Sequence, residues 1–332
     1  VRDINKQLSA LPGTQRLGLL TRGTFEISPT ATAFAEVNLS KVETDQTFTA
    51  PFFAGTTGLT PNSGGTLSPF TYNFNFAPGV SGNPFSSNAR FLGNQSDLGL
   101  RSSKIKSDTA RVLLGAKYTL GDWDFDSGVG FSKNEVKQSN ENRLSQAGVN
   151  AVFGATPALG QPFPTVTSTT YSLDNPANNS QADRDRMLIT FPRKSTSELS
   201  FIDTRASTVL ANLPSGDLGL AVGFEHRQEK MADVPDARAQ AGDILGQGIT
   251  KTNGKRDNTS VFAELSVPLA KTLEAQVALR HDKYSDYGTS TTPKVGMKFR
   301  PNDSVMFRAN WGQGFRAPSL PEISPSQATF FT

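Results

Sequence analysis

The chain has 332 residues with 33 basic and 30 acidic side chains, a net charge of +3 and no cysteine, so neither a disulfide framework nor a thiolate site is available. The charges are interspersed rather than gathered into a stripe, so no nucleic-acid partner is expected. No apolar run approaches the roughly 18 residues of a spanning helix. That excludes a helical membrane protein but not a barrel, where lipid-facing and lumen-facing residues alternate and cancel, as a mean hydropathy of -0.37 allows.

The 20 Pro and 29 Gly argue against a helix-rich fold. The start, Val1-Arg2-Asp3-Ile4, shows no initiator Met, basic n-region or apolar h-region. The chain is therefore expected to be a mature or truncated piece.

In chain order, the first signal is a pair of strands, Leu17 to Ile27 and Ala31 to Leu39, flanking Ser28-Pro29-Thr30. A long connection follows from about Thr47 to Ser103, rich in aromatics: Phe52, Phe53, Phe70, Tyr72, Phe74, Phe76, Phe85 and Phe91. Val112, Leu114, Ala116, Tyr118 and Leu120 then alternate with Arg111, Gly115, Lys117 and Thr119. Gly121-Asp122 turns the chain, and Trp123, Phe125, Val129 and Phe131 return opposite Asp124, Asp126, Gly128 and Gly130. Tyr118 and Trp123 flank this turn where interfacial aromatics would sit.

A second long connection, Ser145 to Lys194, precedes a less regular pair around Pro214-Ser215-Gly216-Asp217. Leu218, Leu220, Val222 and Phe224 alternate well there, but Leu199 to Leu213 reads in either phase. After Ala232 to Asn253 come Val261, Ala263, Leu265 and Val267, then a turn at Ala270-Lys271-Thr272, then Leu273, Ala275, Val277 and Leu279. Val295, Met297 and Phe299 and the returning Val305, Phe307, Ala309 and Trp311 flank Pro301-Asn302-Asp303.

About ten strands of roughly 9–11 residues are thus expected in five hairpins. Short turns alternate with long loops throughout, the asymmetry of outer-membrane barrels with their short periplasmic turns and long external loops. The expected fold is all-β: an antiparallel up-and-down transmembrane β-barrel. Unpaired strand edges in lipid leave backbone groups unsatisfied at several kcal/mol each, so residues 1–332 are read as a partial barrel domain. The lipid bilayer is an expected partner.

Trp311-Gly312-Gln313-Gly314-Phe315-Arg316-Ala317-Pro318-Ser319-Leu320-Pro321-Glu322 resembles a motif of the TonB-dependent outer-membrane receptor family, in which a strand ends before an external loop. Arg280-His281-Asp282-Lys283-Tyr284-Ser285-Asp286-Tyr287-Gly288 and Pro293-Lys294-Val295-Gly296 are similar to that family's barrel, in the expected order. The likeness covers Thr259 to Glu322. It implies about ten strands of a 22-stranded barrel with an N-terminal plug, placed in the bacterial outer membrane. It also implies active uptake of a scarce nutrient (ferric siderophore, haem, cobalamin or carbohydrate) driven through the TonB complex.

Neither the plug, the TonB box nor a final aromatic-ended strand is found, so the piece alone is not expected to transport. A passive porin or adhesin barrel and a soluble secreted β-protein are the alternatives. In the motif itself, Gly312 and Gly314 allow twist or close approach, Pro318 is expected to stop pairing after Ala317, and Arg316 to face acidic lumen partners.

No enzyme, cofactor or metal is expected. His226 and His281 read as rim or lumen histidines; His281 and Asp282 cannot form a dyad, because neighbours on a strand face opposite ways. Asp122, Asp124 and Asp126 read as polar lumen wall rather than a hard-cation site. Asp174, Asp183 and Asp185, with Asn175, Asn178 and Asn179, lack the spacing of an EF-hand loop. Gly128-Val129-Gly130 has a plain structural reading. Two roles are open to the aromatic loop: Tyr72, Phe74 and Phe76 stack on a ligand, or they pack internally or against a plug.

Overall fold

The computed structural model describes residues 8–53, 56–61, 67–80, 82–155, 163–247 and 250–323. Ten strands form one sheet in sequence order, every neighbour antiparallel. They are β1 (Gly13–Ser28) and β2 (Ala31–Phe48), β3 (Arg101–Leu120) and β4 (Trp123–Leu144), β5 (Leu188–Leu213) and β6 (Gly216–Pro235), β7 (Thr252–Ala270) and β8 (Leu273–Tyr284), and β9 (Gly288–Asn302) and β10 (Val305–Gly312). All five expected hairpins form. The sheet is open, with β1 and β10 at its edges.

The alternating apolar residues do not pack against a second layer. Val112, Leu265, Val277 and Leu279 are 37–51% exposed, a face that water would not tolerate over ten strands and that hydrocarbon requires. The opposite face is ion-paired. Glu36 accepts from Arg111 at 2.9 Å and has Arg22 at 3.9 Å; Arg227 meets Glu225 at 2.6 Å; Arg280 meets Asp282 at 3.0 Å.

Strand tilt follows from the register. One lateral row runs from Ala31, the first residue of β2, through Phe125, Val222 and Leu279 to Pro293, which lies nine residues before the end of β9 at Asn302. With the short turns along one edge, the row climbs about 1.3 residues per strand over seven steps. At about 3.3 Å per residue and 4.8 Å between strands this is a tilt of about 40°, within the range of closed barrels. On β3 the outward apolar positions run from Leu120 to Ala110, about 33 Å along the strand and about 25 Å across the membrane at that tilt, the height of a barrel's apolar band.

Three departures from the sequence reading have local causes. Most strands exceed 9–11 residues, reaching 22 in β4 and 26 in β5. Beyond the apolar band they continue through alternating Ser, Thr, Lys, Asn and Glu, which carry no hydropathy signal. In β5 a bulge between Val209 and Ala211 shifts the register, so one strand carries both phases that its sequence allows. The last pairing is Lys294 with Gly312, and β10 ends six residues before Pro318 rather than after Ala317.

The lumen face also holds three phenylalanines directly opposite glycines: Phe34 with Gly115, Phe201 with Gly130, and Phe262 with Gly223. Each ring lies over its glycine so closely that a Cβ there would overlap it. These pairs keep aromatic rings off the lipid side, and they account for Gly130 in Gly128-Val129-Gly130.

Candidate functional site

The densely packed core lies in the loops at the end of the sheet opposite the short turns. There the described residues of the connections 49–100, 145–187 and 236–251 fold together into one globule. Phe53, Tyr72, Phe74, Val149 and Tyr171 are wholly buried, and Phe76, Phe153 and Phe163 nearly so. Phe53 and Phe74 meet edge to face with centroids 4.8 Å apart, Tyr72 and Phe163 lie at 4.4 Å, and Phe76 and Phe153 at 5.6 Å.

Polar contacts stitch the three connections together. The Ala77 amide donates to the Val166 carbonyl and the Val166 amide to the Asn75 carbonyl, each at 2.8 Å. Asp97 accepts from the Tyr171 hydroxyl at 3.0 Å and from Asn179 Nδ2 at 2.9 Å. Burial, followed by the Asp97 charge, raises the Tyr171 phenol above its ordinary pKa, so it stays a neutral donor. Burial likewise raises Tyr72, whose hydroxyl meets Asn150.

Helix α1 (Gln146–Val152) starts at Ser145, whose hydroxyl accepts from the Gly148 amide at 3.0 Å and donates to Asp243 at 2.9 Å. That aspartate ties the third connection to the second. Helix α2 (Gln181–Met187) is capped by Ser180, and it packs so near α1 that a Cβ on Gly148 would overlap the Arg186 carbonyl.

Of the loop aromatics, the structure brings Phe53, Tyr72, Phe74 and Phe76 together inside the globule. Tyr72, Phe74 and Phe76 are buried in the globule, at 0%, 0% and 2% exposed. Phe52 and Phe85 are the outward ones, at 48% and 62% exposed, with Leu92 at 58%. Phe91 packs on the core edge, and the Phe70 side chain lies outside the described residues. The sequence marked the aromatic richness of this loop, but the partners Phe153, Phe163 and Tyr171 carried no signal, being distant in sequence and without period.

The polar candidates have local partners. His226 and His281 face outward, with Nδ1 2.9 Å from Thr259 Oγ1 and 2.8 Å from Thr291 Oγ1, so neither lies in the lumen. Asp282 faces the lumen and accepts from Ser260 and Arg280. Asp124 accepts from Thr119 at 2.7 Å and Asp126 faces Lys117 at 3.6 Å. Asp174 accepts from Ser172, and Asp183 from Ser180. Among the described residues no group of three His, Asp or Glu is placed to hold a metal ion.

In the motif after β10, Arg316 finds its acid at Glu322, 3.1 Å away, with the arginine side chain 79% exposed, and the neighbouring Phe315 packs against the lumen-facing Tyr284. Glu322 also accepts from the Ser319 hydroxyl at 2.8 Å, while the Glu322 amide donates to the Ser319 carbonyl at 3.0 Å. The Ser319 amide also donates to the Glu322 carboxylate, which closes the turn Leu320–Ile323 back onto its first residue. The Ser319 backbone and hydroxyl donors hold the Glu322 carboxyl below its ordinary pKa.

An open, tilted wall with one lipid-facing side, an ion-paired lumen side and large loops at one end defines part of an outer-membrane β-barrel. The sequence matches the family described as "TonB dependent receptor-like, beta-barrel" over residues 45–331, and the chain belongs to it. Among solved structures it is similar to the RagAB peptide transporter, at 13% identity and a TM-score of 0.50, covering 87% of this chain and 30% of that one. A mutant of the ferric enterobactin receptor PfeA from Pseudomonas aeruginosa follows at 13% identity and a TM-score of 0.45, covering 93% and 34%. The chain therefore spans about a third of the length of these structures. No curated protein matches it in sequence. Proteins of the family are outer-membrane receptors and transporters, and this chain is a stretch of such a barrel wall.

Proposed function

We propose that residues 1–332 are one section of the barrel domain of an importer that takes up a scarce small-molecule nutrient, a ferric siderophore, haem, cobalamin or carbohydrate, coupled to the TonB complex through parts of the protein outside this section. The observation that carries this reading is the pre-folded globule of three loops at one end of the sheet, above a lumen wall that carries ion pairs. A passive pore needs no such packed structure at its mouth, whereas a receptor needs a rigid one to hold a ligand before transport. One similar structure is named a peptide transporter, which supports an import role without selecting a substrate.

On this reading Tyr72, Phe74 and Phe76 act as the pillar of the globule, and the exposed Phe52 and Phe85 meet the cargo. The test uses cells expressing the full-length receptor. Uptake should saturate and should vanish in a strain lacking TonB. Phe85→Ala should weaken substrate affinity and leave the loops protease-resistant, whereas Phe74→Ala should make them protease-sensitive. Non-saturating uptake that persists without TonB would establish a passive pore instead.

A further inference from the structure

The outward face changes character where the apolar band ends. After Ala110 the next outward positions on β3 are Asp108, Lys106 and Lys104; on β4 Phe131 is followed by Lys133, Glu135 and Lys137; on β2 Leu39 is followed by Lys41 and Glu43. Every outward-facing basic residue on these strands is a lysine, while Arg22, Arg111, Arg205, Arg227, Arg256 and Arg280 all face the lumen. The partition has a physical logic. A guanidinium fork suits fixed carboxylates on a wall, as in the lumen ion pairs. A lysine lays its stem along apolar surface and lifts a compact charge to whatever lies above.

The register concentrates this charge. Lys106, Lys137 and Lys194 are direct cross-strand neighbours on β3, β4 and β5, an arrangement that is destabilising for like charges unless something offsets it. The carboxylates at hand are too few. Glu43 is shared by Lys41 at 3.0 Å and Lys106 at 3.4 Å, and Glu135 by Lys137 at 2.7 Å and Lys194 at 2.9 Å. Four ammonium groups thus lean on two carboxylates, with Asp108 beside Lys41 and Glu135 as a third, and the side chains of Lys106, Lys137 and Lys194 remain 57–60% exposed. The row sits about 10 Å above the upper edge of the apolar band at Ala110, from the rise and tilt above. That is the level of membrane headgroups, on the same face that hydrocarbon covers below.

We propose that the Lys106–Lys137–Lys194 row is a binding site for the phosphorylated headgroup of an anionic lipid in the outer leaflet. The lipid's acyl chains would lie along the apolar band directly beneath, and this continuity favours a lipid over a free phosphate ion. The site is independent of which nutrient the receptor carries.

The test takes the full-length receptor in uncharged detergent and adds a bis-phosphorylated, acylated glucosamine disaccharide, with bound lipid read by native mass spectrometry. Wild type should retain the phosphorylated lipid and bind its dephosphorylated form far more weakly. K106Q/K137Q/K194Q should weaken binding about 100-fold, roughly fivefold per lysine, while K106R/K137R/K194R keeps the charge and the binding. If the glutamine variant fails to fold, as judged by heat-modifiable gel mobility, the lipid pair on wild type and the arginine variant still decide. Equal binding of the dephosphorylated lipid, wild-type binding by the glutamine variant, or displacement of the lipid by inorganic phosphate would overturn the proposal.

Discussion

At the scale of single residues, the lumen-side Phe–Gly pairs show how a barrel wall handles large aromatics. Phe201 can lie flat over the neighbouring strand only because Gly130 has no Cβ, and Phe262 does the same over Gly223. Gly130→Ala forces the ring off its seat and should destabilise the barrel by about 1–3 kcal/mol, the usual cost of overpacking. Combined with Phe201→Ala, the same change should cost less than the sum of the two single changes, because the clash is gone. Urea unfolding of the full-length receptor in vesicles measures both, and strict additivity would show that the pair is not coupled. Glycines opposite aromatics were visible in the sequence only as glycines within strands. Which phenylalanine stood across from each required the register.

At the scale of elements, the segment after β10 behaves as a small self-capped unit rather than as a strand running on to Pro318. Its closure rests on Glu322, whose folded-state pKa is depressed by the Ser319 donors and then by Arg316. For a carboxylate with a lowered folded pKa, the stabilisation is fully present above its ordinary value of 4.5 and is lost as pH falls through the folded value. The amides of Ser319, Leu320, Glu322 and Ile323 should therefore be better protected from hydrogen exchange in wild type than in Glu322→Gln at neutral pH. That difference should close progressively below about pH 4.5; a difference that persists unchanged into strong acid would place the closure elsewhere. The family likeness pointed to this motif, but the Ser319–Glu322 closure depends on a local turn that carries no periodic signal.

For the whole molecule, the decisive feature is two-sidedness: one face meets hydrocarbon and the other meets water. Val129 lies in the outward band, half exposed, opposite Leu114 and Ile202. Asn134, five residues on, faces the lumen side and bonds Ser107 and Thr109. Val129→Arg should cost about 2–4 kcal/mol if it sits near mid-membrane and should impair assembly into the outer membrane, whereas Asn134→Arg should assemble. Heat-modifiable mobility of the two variants, recovered from membranes, separates the cases; equal assembly would mean that Val129 is not lipid-facing.

The sequence alone determined the alternation, the five short turns, the long loops between hairpins and hence the class of fold, because period-2 hydropathy is a local property that lipid on one side enforces. It also carried a motif specific enough to point to the receptor family. Only the tertiary structure decided how far each strand runs past the membrane, where the β5 bulge switches phase, and that Tyr72, Phe74 and Phe76 are interior. It alone showed that the outward lysines stand side by side. Those outcomes depend on which residue lies across from which, and cross-strand register joins residues tens of positions apart, so no window on a single strand contains it.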